Sequence, residues 1–584
     1  MCGIVGIVQE AGYNEELQPW VEQMLAAQHH RGPDATGALD IPIGILGHNR
    51  LSILDLSASS DQPFVYNTVT IVFNGEVYNY VELRDTLKAE GYKFNTTGDT
   101  EVVCAAYRYW GKECVKHFVG MWSFAIWDSE KELLFCSRDR FGIKPFNYML
   151  QDGRMSFASE LTTLRTLPFF DATLNKKQVA RGLNLGWSAY KDETYYENVK
   201  QLEGAHNLIW QNGQVTIERY WDLTKVEVPD NEEDAVVRFR ELFDDSIKLH
   251  MRSDVKIGSC LSGGLDSSAI VAAIADKHPE DYHTYTIYFT GKGAVDERPF
   301  ARLLEKRYAN VKSEYSEPSD AELTSDFEKF MRHVELPSAG SSFYSQYFVM
   351  KLASEHKTKV LINGQGSDEF LIGYMHTYYR ILADCLREFR LFSYLKILKD
   401  HVREHALSVK QILKTIGLSF LLVVKDENDF TRIELKRNYK QIEGYDYSDA
   451  TVQLENKFKS RTDNFLYHLI MTTTLPTLLH FEDRNSMAFS IESRVPFLDH
   501  RLVEYGFSLP VEWRVKNGLT KYVLREGLKD VLPPEIYARK DKKGFVTPGE
   551  FKWVKGPLRE YFIDLAKDIK LNWRLNILQR WKES

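Results

Sequence analysis

The sequence predicts two successive domains, an N-terminal α+β domain and a C-terminal α/β domain whose last part is helical. Short apolar runs between turn residues fill the first 220 positions and are typical of strands. Beyond residue 235, apolar strands alternate with longer helices, which favours a Rossmann-like parallel sheet with helices on both faces. A chain of 584 residues is also too long for one core, because single cores stop growing near about 250 to 300 residues.

Alternating apolar residues between turn residues mark the N-terminal strands. Two stretches, residues 17–29 and 80–90, interrupt these strands and repeat apolar residues at helical spacing. We therefore expect sheets that are covered by helices. The predicted strands are 3–8, 43–48, 69–76, 121–128 and 131–139.

The domain boundary is predicted at a linker, residues 221–235, where apolar periodicity is lost and charged residues gather. The predicted domains are therefore 2–220 and 236–584. After about residue 375 helices are expected to prevail. The second domain's predicted strands are 255–262, 284–289 and 359–366, and its first helices are 267–277, 298–308 and one ending near Lys357.

The composition argues against several classes of partner. With 74 basic and 82 acidic residues the formal charge is −8, which disfavours a broad surface for nucleic acid or anionic lipid. Six distant cysteines without a CxxC pair favour a reducing cytoplasm. The longest apolar run, 416–424, is shorter than the roughly 20 residues that span a bilayer and is expected to form a buried helical segment.

The N-terminus shows neither the basic nor the apolar region of an export signal. We therefore expect a cytoplasmic protein with no membrane partner and no nucleic-acid partner. The sequence leaves the oligomeric state open, with a homodimer as the candidate assembly.

Cys2 follows the initiator methionine directly, and its small size permits removal of Met1. An exposed α-amine titrates near about 7.7 to 8.0, so a fair fraction is neutral and can accept the thiol proton. One residue would then supply both nucleophile and base. Taken alone, Cys2 is better explained as a small buried residue that begins a strand, and the rest of the domain reverses that preference.

A substrate with an amino-acid end and a side-chain amide needs a cation, an anion and donors for an oxyanion. Arg50 is a candidate clamp for the carboxylate, and Asp99 is a candidate partner for the ammonium group. Asn74 and Gly75 are candidate donors for the oxyanion. Each residue also has a purely structural explanation, which is preferred when that residue is taken alone. These explanations are a surface charge for Arg50, a helix N-cap for Asp99 and a plain turn for Asn74-Gly75.

A second candidate site is SGGLDSS, residues 262–268, between an apolar strand and an apolar helix. Adjacent glycines, hydroxyl donors and a helix N-terminus together favour a pyrophosphate cradle, although a Ser/Gly-rich turn is the alternative. The spacing differs from the P-loop of kinases and lacks its lysine. The candidate cradle residues are Ser262, Gly263, Gly264, Ser267 and Ser268, with Asp266 placed to reach Mg²⁺ on the phosphates.

Six motifs in the N-terminal region resemble the class II glutamine amidotransferase domain in order and spacing. They are Cys2-Gly3-Ile4, HRGPDATG (30–37), RLSILDL (50–56), FNGEVYN (73–79), GDTEV (98–102) and SRDRFGIKPF (137–146). The resemblance implies an αββα N-terminal-nucleophile hydrolase fold. It also implies Cys2 as nucleophile, Asn74 and Gly75 as the oxyanion hole, and a glutamine pocket formed by Arg50, Ile53, Glu76 and Asp99.

The second half resembles the glutamine-hydrolysing asparagine synthetase family. SGGLDSS is similar to the PP-loop of ATP pyrophosphatases, and NGQGSDE (363–369), RVPFLDH (494–500), TKYVLREGLKDVLP (520–533) and RKDKKGF (539–545) are similar to the asparagine synthetase domain. The resemblance implies ATP as a substrate. It implies that Leu261, Ile287, Asn363 and Gly364 bind ATP, that Asp266 and Asp368 bind Mg²⁺, and that Lys521 stabilises developing charge.

Two of these assignments have simpler alternatives. Asp368 and Glu369 are equally explained as an exposed acidic pair that begins a helix. Without the motif context, Lys521 and the group Lys540, Lys542 and Lys543 are better explained as solvated charges.

Two positions of one loop depart from the family pattern. Typical asparagine synthetases have SGEGSDE in this loop, with a glutamate at the acceptor site, whereas this chain has Asn363 and Gln365. A glutamine cannot act as a general base at neutral pH, so either another group takes the proton or the acceptor differs. The segment 333–346, expected to line the acceptor pocket, is also unlike that of aspartate-specific enzymes.

The sequence thus predicts a glutamine-dependent amidotransferase that forms an acyl-AMP from ATP and a carboxylate. Aspartate is the leading acceptor, and a sugar uronate of polysaccharide synthesis is the alternative. A regulatory glutaminase with a degenerate nucleotide site is disfavoured by the intact SGGLDSS, Asp368 and Lys521. A tRNA-modifying PP-loop enzyme would need a basic RNA-binding surface, which the acidic total charge does not suggest. A sugar-phosphate aminotransferase that shares the first domain would lack SGGLDSS, which this chain contains.

Overall fold

The computed structural model describes residues 2–290, 296–337, 340–438, 450, 452–540, 547–563 and 569–583. Within them lie two six-stranded antiparallel sheets, one five-stranded parallel sheet and a two-stranded hairpin. Residues 338–339 of the predicted acceptor segment and 541–545 of the RKDKKGF motif are outside the described residues.

Two antiparallel sheets form the N-terminal region and pack face to face. Ile4 and Val8 of the first sheet and Val72 and Ala125 of the second belong to one buried cluster. In spatial order the first sheet is β10(Val199–Gln201), β8(Asn147–Gln151), β9(Arg154–Ala158), β1(Gly3–Gln9), β3(Gly44–Arg50) and β2(Ala35–Ile41), with numbers in chain order. The second is β12(Gln214–Arg219), β11(His206–Gln211), β7(Leu133–Arg138), β6(Gly120–Asp128), β5(Val69–Val77) and β4(Phe64–Tyr66).

Helices cover the outer face of each sheet. Val5 and Ile7 alternate with the inward residues of β1, so they face the other way and pack with residues of the first helix. Phe73 of β5 packs in the same way against the second and third helices. The α-β-β-α layering confirms the predicted N-terminal fold. The helices are α1(Leu17–Ala27), α2(Tyr80–Ala89), α3(Thr100–Trp110), α4(Leu161–Leu164) and α5(Lys176–Leu185).

The C-terminal region is built on a parallel sheet, which confirms the predicted Rossmann-like part. In spatial order its strands are β15(Val311–Ser316), β14(Tyr282–Ile287), β13(Ile257–Cys260), β16(Val360–Ile362) and β17(Glu492–Arg494). The chain enters at β13 and adds strands first on one side and then on the other. Such a reversal leaves a crevice at the carboxyl ends of the central strands, where ligands bind in sheets of this type.

Helices dominate the rest of this region, as predicted. They are α6(Glu232–His250), α7(Leu265–Lys277), α8(Arg298–Arg307), α9(Asp320–Ser325), α10(Phe327–Val334), α11(Ser342–Glu355), α12(Ser367–Phe370), α13(Thr377–Arg387), α14(Leu391–Glu404), α15(Val409–Val424), α16(Glu427–Asn438), α17(Arg461–Met471), α18(Leu475–Met487), α19(His500–Ser508), α20(Val511–Arg514), α21(Tyr522–Gly527), α22(Pro534–Tyr537), α23(Glu550–Lys555) and α24(Ile569–Glu583). The hairpin is β18(Val515–Lys516) with β19(Leu519–Thr520).

The prediction that residues 416–424 are helical is confirmed, but the prediction that they are buried is wrong for part of the run. They are helical and end α15, but Phe420 is 57% exposed and Val424 is 74% exposed. Leu422 is buried, together with Thr415 and Ser419. A continuous apolar run covers all sides of a helix, so the run alone does not determine which side finds a partner. Among the described residues, no helix combines the length and apolar character that a membrane span requires.

Candidate active sites

Cys2 lies at the start of β1, against the middle of β5. Its backbone N–H donates to Asn74 Oδ1 at 3.0 Å, and its Sγ lies 3.9 Å from the Leu51 carbonyl oxygen. Burial raises the pKa of the Cys2 thiol, and the positive N-terminus opposes this shift. Because Asn74 Oδ1 accepts from the Cys2 nitrogen, the Nδ2 donor of the same amide group points away from that nitrogen.

That donor is buried and has no hydrogen-bond partner among the described residues. Asn74 and Gly75 lie inside β5 rather than in a turn, opposite Ser123 and Trp122 of β6. Gly75 has φ +156°, and a Cβ there would stand 2.1 Å from the Met121 carbonyl oxygen. A free donor beside the thiol on rigid backbone is the arrangement that an oxyanion site requires.

Arg50 ends β3 and is buried, which excludes the surface-charge explanation. Its Nη1 donates to the Ser57 carbonyl oxygen at 2.8 Å and to Asp61 Oδ1 at 2.7 Å, so it also fixes the loop after β3. Ile53, in the same loop, packs with Val360 of β16. The loop beside Cys2 therefore contacts the parallel sheet.

Glu76 and Asp99 form a buried acidic pair near Cys2. Asp99 occupies the N-cap position of α3, but its side chain makes no capping bond and its Oδ2 instead accepts from the Val77 N–H at 2.9 Å. Burial raises the pKa of Asp99 to about 6. Burial also raises the pKa of Glu76 well above its usual value, and Glu492 adds to that shift.

Two residues of β17 complete this first site, and sequence reasoning missed both. Arg494 Nε donates to Glu492 Oε1 at 2.6 Å, and Arg494 Nη2 lies 3.7 Å from Glu76 Oε1. The strand ESR is too short and too polar to give a strand signal. Arg494 does begin the RVPFLDH motif, which was the available clue.

The second site begins where β13 meets α7. Ser262 Oγ lies 3.1 Å from Ser267 Oγ, and the Gly264 N–H donates to Ser262 Oγ at 3.3 Å. Gly263 has φ +68°, and a Cβ there would stand 2.8 Å from Phe300. Ser268 Oγ is buried without a hydrogen-bond partner among the described residues. This loop at a 13-residue helix's N-terminus has the geometry of an anion cradle.

Lys521 brings the acidic residues of this site together. Its Nζ lies 2.6 and 2.5 Å from the two carboxylate oxygens of Asp266, 2.6 Å from Asp368 Oδ1 and 2.9 Å from Ser367 Oγ. Lys521 is 4% exposed and Asp368 is 7% exposed, so neither is a solvated surface charge. Glu369 is buried as well and accepts a hydrogen bond from Tyr374 at 2.6 Å.

Asn363, Gly364 and Gln365 line a cavity of about 360 Å³, whereas Leu261 and Ile287 are not among its lining residues. Leu261 follows β13, Ile287 ends β14, and Asn363 with Gly364 follows β16. A Cβ on Gly364 would stand 3.0 Å from the Ser267 nitrogen, so the two loops are in close contact. Gln365 is half-buried at the cavity wall together with Asp266, Asp368 and Lys521. Arg539, which the sequence did not assign, donates to the Gly263 carbonyl oxygen at 2.8 Å.

A buried ion network links the thiol site to α18 of the C-terminal region. Arg31 Nε donates to the Cys2 carbonyl oxygen at 3.0 Å, and Arg31 Nη1 lies 2.8 Å from Asp483 of α18 and 2.9 Å from Glu160. Burial opposes the charge of Arg31, but Asp483 and Glu160 raise its pKa above the usual value. Arg484 extends the network to Glu335 at 2.5 Å. One helix therefore contacts both halves of the chain.

This pair of folds and sites defines the class of glutamine amidotransferases that are carbon–nitrogen ligases. A family model for asparagine synthase matches residues 238–578, and one for a glutamine amidotransferase domain matches residues 1–221. The chain belongs to the asparagine synthase family.

Three relatives illustrate the range of the family. Asparagine synthetase [glutamine-hydrolyzing] 1 of Bacillus subtilis is 32% identical over 97% of this chain and 90% of its own. Asparagine synthetase [glutamine-hydrolyzing] 3 of the same organism is 30% identical over 95% of this chain and 89% of its own. Amidase chyE of Penicillium rubens is 29% identical over 96% of this chain and 90% of its own.

Proposed function

We propose that residues 2–220 release ammonia from glutamine at Cys2, that residues 236–584 convert a carboxylate to its AMP ester with ATP, and that ammonia then attacks this ester. Residues 221–235 would join the two domains. The proposal is supported by the two family matches, which divide the chain at nearly the same place.

In the first reaction, the Cys2 sulfur attacks the amide carbon of glutamine after its proton passes to the free α-amine. Asn74 Nδ2 and the Gly75 N–H are the candidate donors to the oxyanion. Arg50 would bind the carboxylate of glutamine and Asp99 its ammonium group, with Ile53 and Glu76 completing the pocket. This use of the α-amine requires removal of Met1, which lies outside the described residues.

The second site fits a nucleotide and Mg²⁺ by its donor set. No cluster of three or more His, Cys, Asp or Glu side chains with metal-binding geometry occurs in the described part of the chain. Asp266 and Asp368 are instead two carboxylates that converge on Lys521, and Mg²⁺ characteristically takes one or two carboxylates together with substrate phosphates. When bound, Mg²⁺ would offset charge on the pyrophosphate, and Lys521 would do the same from the protein.

ATP would then lie across the carboxyl ends of β13, β14 and β16. Leu261, Ile287, Asn363 and Gly364 would surround the adenosine. Ser262, Gly263, Gly264, Ser267 and Ser268 would contact the phosphates through N–H and O–H donors.

The acceptor is proposed to be aspartate, with a sugar uronate as the second candidate. Two relatives are named asparagine synthetases and match nearly the whole chain. The second candidate is favoured by Gln365 at the cavity wall and by a relative of similar coverage that is named an amidase. A cytoplasmic location and a homodimer complete the proposal; the location is supported by six cysteines that are all free thiols.

The observation that carries the proposal is the convergence of Asp266, Asp368 and Lys521 beside the SGGLDSS loop. The test is pyrophosphate release from ATP with glutamine and a panel of carboxylates, aspartate and glucuronate first. One carboxylate should give AMP and pyrophosphate in equal amounts. Release of ADP and phosphate, or no response to any carboxylate, would contradict the proposed second reaction.

A further inference from the structure

The acceptor site lacks the acid that its loop usually supplies. Attack of ammonia on an acyl-AMP places a positive charge on nitrogen, which must be lost as a proton before the amide is stable. Gln365 cannot accept that proton. Among the described acidic residues lining the cavity, Asp266 and Asp368 are both paired with Lys521, whereas Glu482 of α18 is not.

Glu482 is held in place by Asn363 of the altered loop and by Ser493 of β17. It is 2% exposed, and its Oε1 accepts hydrogen bonds from Asn363 Nδ2 at 2.6 Å and from Ser493 Oγ. Its Oε2 is buried and accepts no hydrogen bond of normal geometry from any described residue. The carboxylate thus has Oε1 fixed by two donors and Oε2 bound by no described residue at normal hydrogen-bond geometry, while Gln365 is near enough to favour the ionised form.

Glu482 also faces the other half of the chain. It lines a second, small cavity of about 10 Å³ together with Ile143 and Lys144 of the SRDRFGIKPF motif. That volume is close to the smallest that holds one water, a molecule similar in size to ammonia. Its sequence neighbour Asp483 binds Arg31, which in turn binds the Cys2 carbonyl. Glu482 therefore stands between the thiol site and the nucleotide cavity.

The charges around Glu482 suit a proton acceptor. Burial raises its pKa above the usual value, and hydrogen bonds from Ser493, Asn363 and Gln365 oppose this shift. The nearby Lys144 also favours the ionised form. A buried carboxylate with a raised pKa holds a proton more readily than a solvated one.

We propose that Glu482 is the general base of the amide-forming step, an inference that rests on the proposed function. The ammonia nitrogen forms a bond to the acyl carbon, Glu482 Oε2 takes one proton from that nitrogen, and the bond between the acyl carbon and the AMP oxygen breaks. The products are the amide, AMP and protonated Glu482, which then releases its proton to solvent. Asn363 and Ser493 act as positioning residues.

The test compares Glu482→Gln with Glu328→Gln as the matched control, because Glu328 is an exposed glutamate of α10 outside both sites. Glutamine keeps an oxygen that can accept from Asn363 and Ser493, but it cannot take a proton. Three rates are measured: glutaminase activity, ATP–pyrophosphate exchange and amide formation, with ATP, ammonium chloride and the carboxylate that promotes exchange in the wild type. Glu482→Gln should keep the first two within about threefold and lose amide formation about 10²- to 10⁴-fold. Glu328→Gln should leave all three rates within about twofold of the wild type, as expected for an exposed surface position.

Hydroxylamine separates proton transfer from positioning. Its adduct is more acidic than that of ammonia and loses a proton to water more readily, so the defect of Glu482→Gln should shrink at least about tenfold with this nucleophile. If Glu482→Gln were equally defective with ammonia and with hydroxylamine, the proposal would be overturned. It would also be overturned if this variant formed amide at the wild-type rate, or if it lost ATP–pyrophosphate exchange as much as amide formation. Absence of exchange in the wild type with every carboxylate would instead contradict the proposed function itself, and with it this inference.

Discussion

The thiol site and the nucleotide cavity are built in opposite ways. The first presents a neutral donor, Asn74 Nδ2, on a continuous strand beside Cys2. The second presents charges: Lys521 meets two carboxylates from segments more than 150 residues away along the chain. A neutral, rigid donor suits a charge that appears only during attack, whereas fixed charges suit phosphates that are charged throughout. The two sites should therefore respond to different substitutions, and variants at one should spare the other.

Cys2→Ala gives the largest expected effect. Removal of the nucleophile should reduce glutamine-dependent amide formation by more than about 10³-fold, because no other group replaces the thiol. Ammonia-dependent amide formation should stay within about threefold of the wild type. Rates with glutamine and with ammonium chloride are compared in one assay. Loss of both activities in a folded protein would contradict the separation of the sites.

Lys521→Met tests the nucleotide site in the way that Cys2→Ala tests the thiol site. It should lower pyrophosphate release by about 10²- to 10³-fold. The buried cation would be lost, and the carboxylates of Asp266 and Asp368 would no longer be paired with the Lys521 ammonium group. Glutaminase activity should persist. Lys529→Met is the control, because Lys529 is an exposed lysine of the same segment. A comparable loss in both variants would show that Lys521 has no special role.

The pH dependence of glutamine binding gives a smaller effect. Asp99 must be ionised to bind an ammonium group, and burial raises its pKa to about 6. As pH falls through that value Asp99 becomes protonated, so KM for glutamine should rise up to about tenfold per pH unit. Asp99→Asn should have a high KM that varies little with pH. A wild-type KM that is constant between about pH 5 and 7.5 would remove Asp99 from this role.

The sequence predicted much of the fold, because long apolar alternation and Gly-rich turns mark β1, β5, β13 and β16 unambiguously. It also pointed to Gln365 as an unusual position. It did not reveal Glu482, because one glutamate inside a helix has many ordinary explanations. Contacts between distant segments, such as that of Glu482 with Asn363, depend on how the sheet and α18 pack, which local patterns do not encode.

The interdomain contacts were missed for the same reason. Arg31 and Arg494 lie within motifs that suggested a domain but not a partner. Each is buried at the junction of the two halves and paired with a carboxylate there. Isolated buried charges are costly, so these arginines would be expected to have partners, but the sequence does not say which.

Nitrogen transfer between the two sites is the central claim, and isotope labelling tests it directly. The wild type is given glutamine labelled with ¹⁵N in its amide, an excess of unlabelled ammonium chloride, ATP and the carboxylate that promotes exchange. If ammonia passes internally from Cys2 to the nucleotide cavity, the product amide should carry mainly ¹⁵N despite the excess. A product whose label matches that of the bulk ammonium would contradict the account.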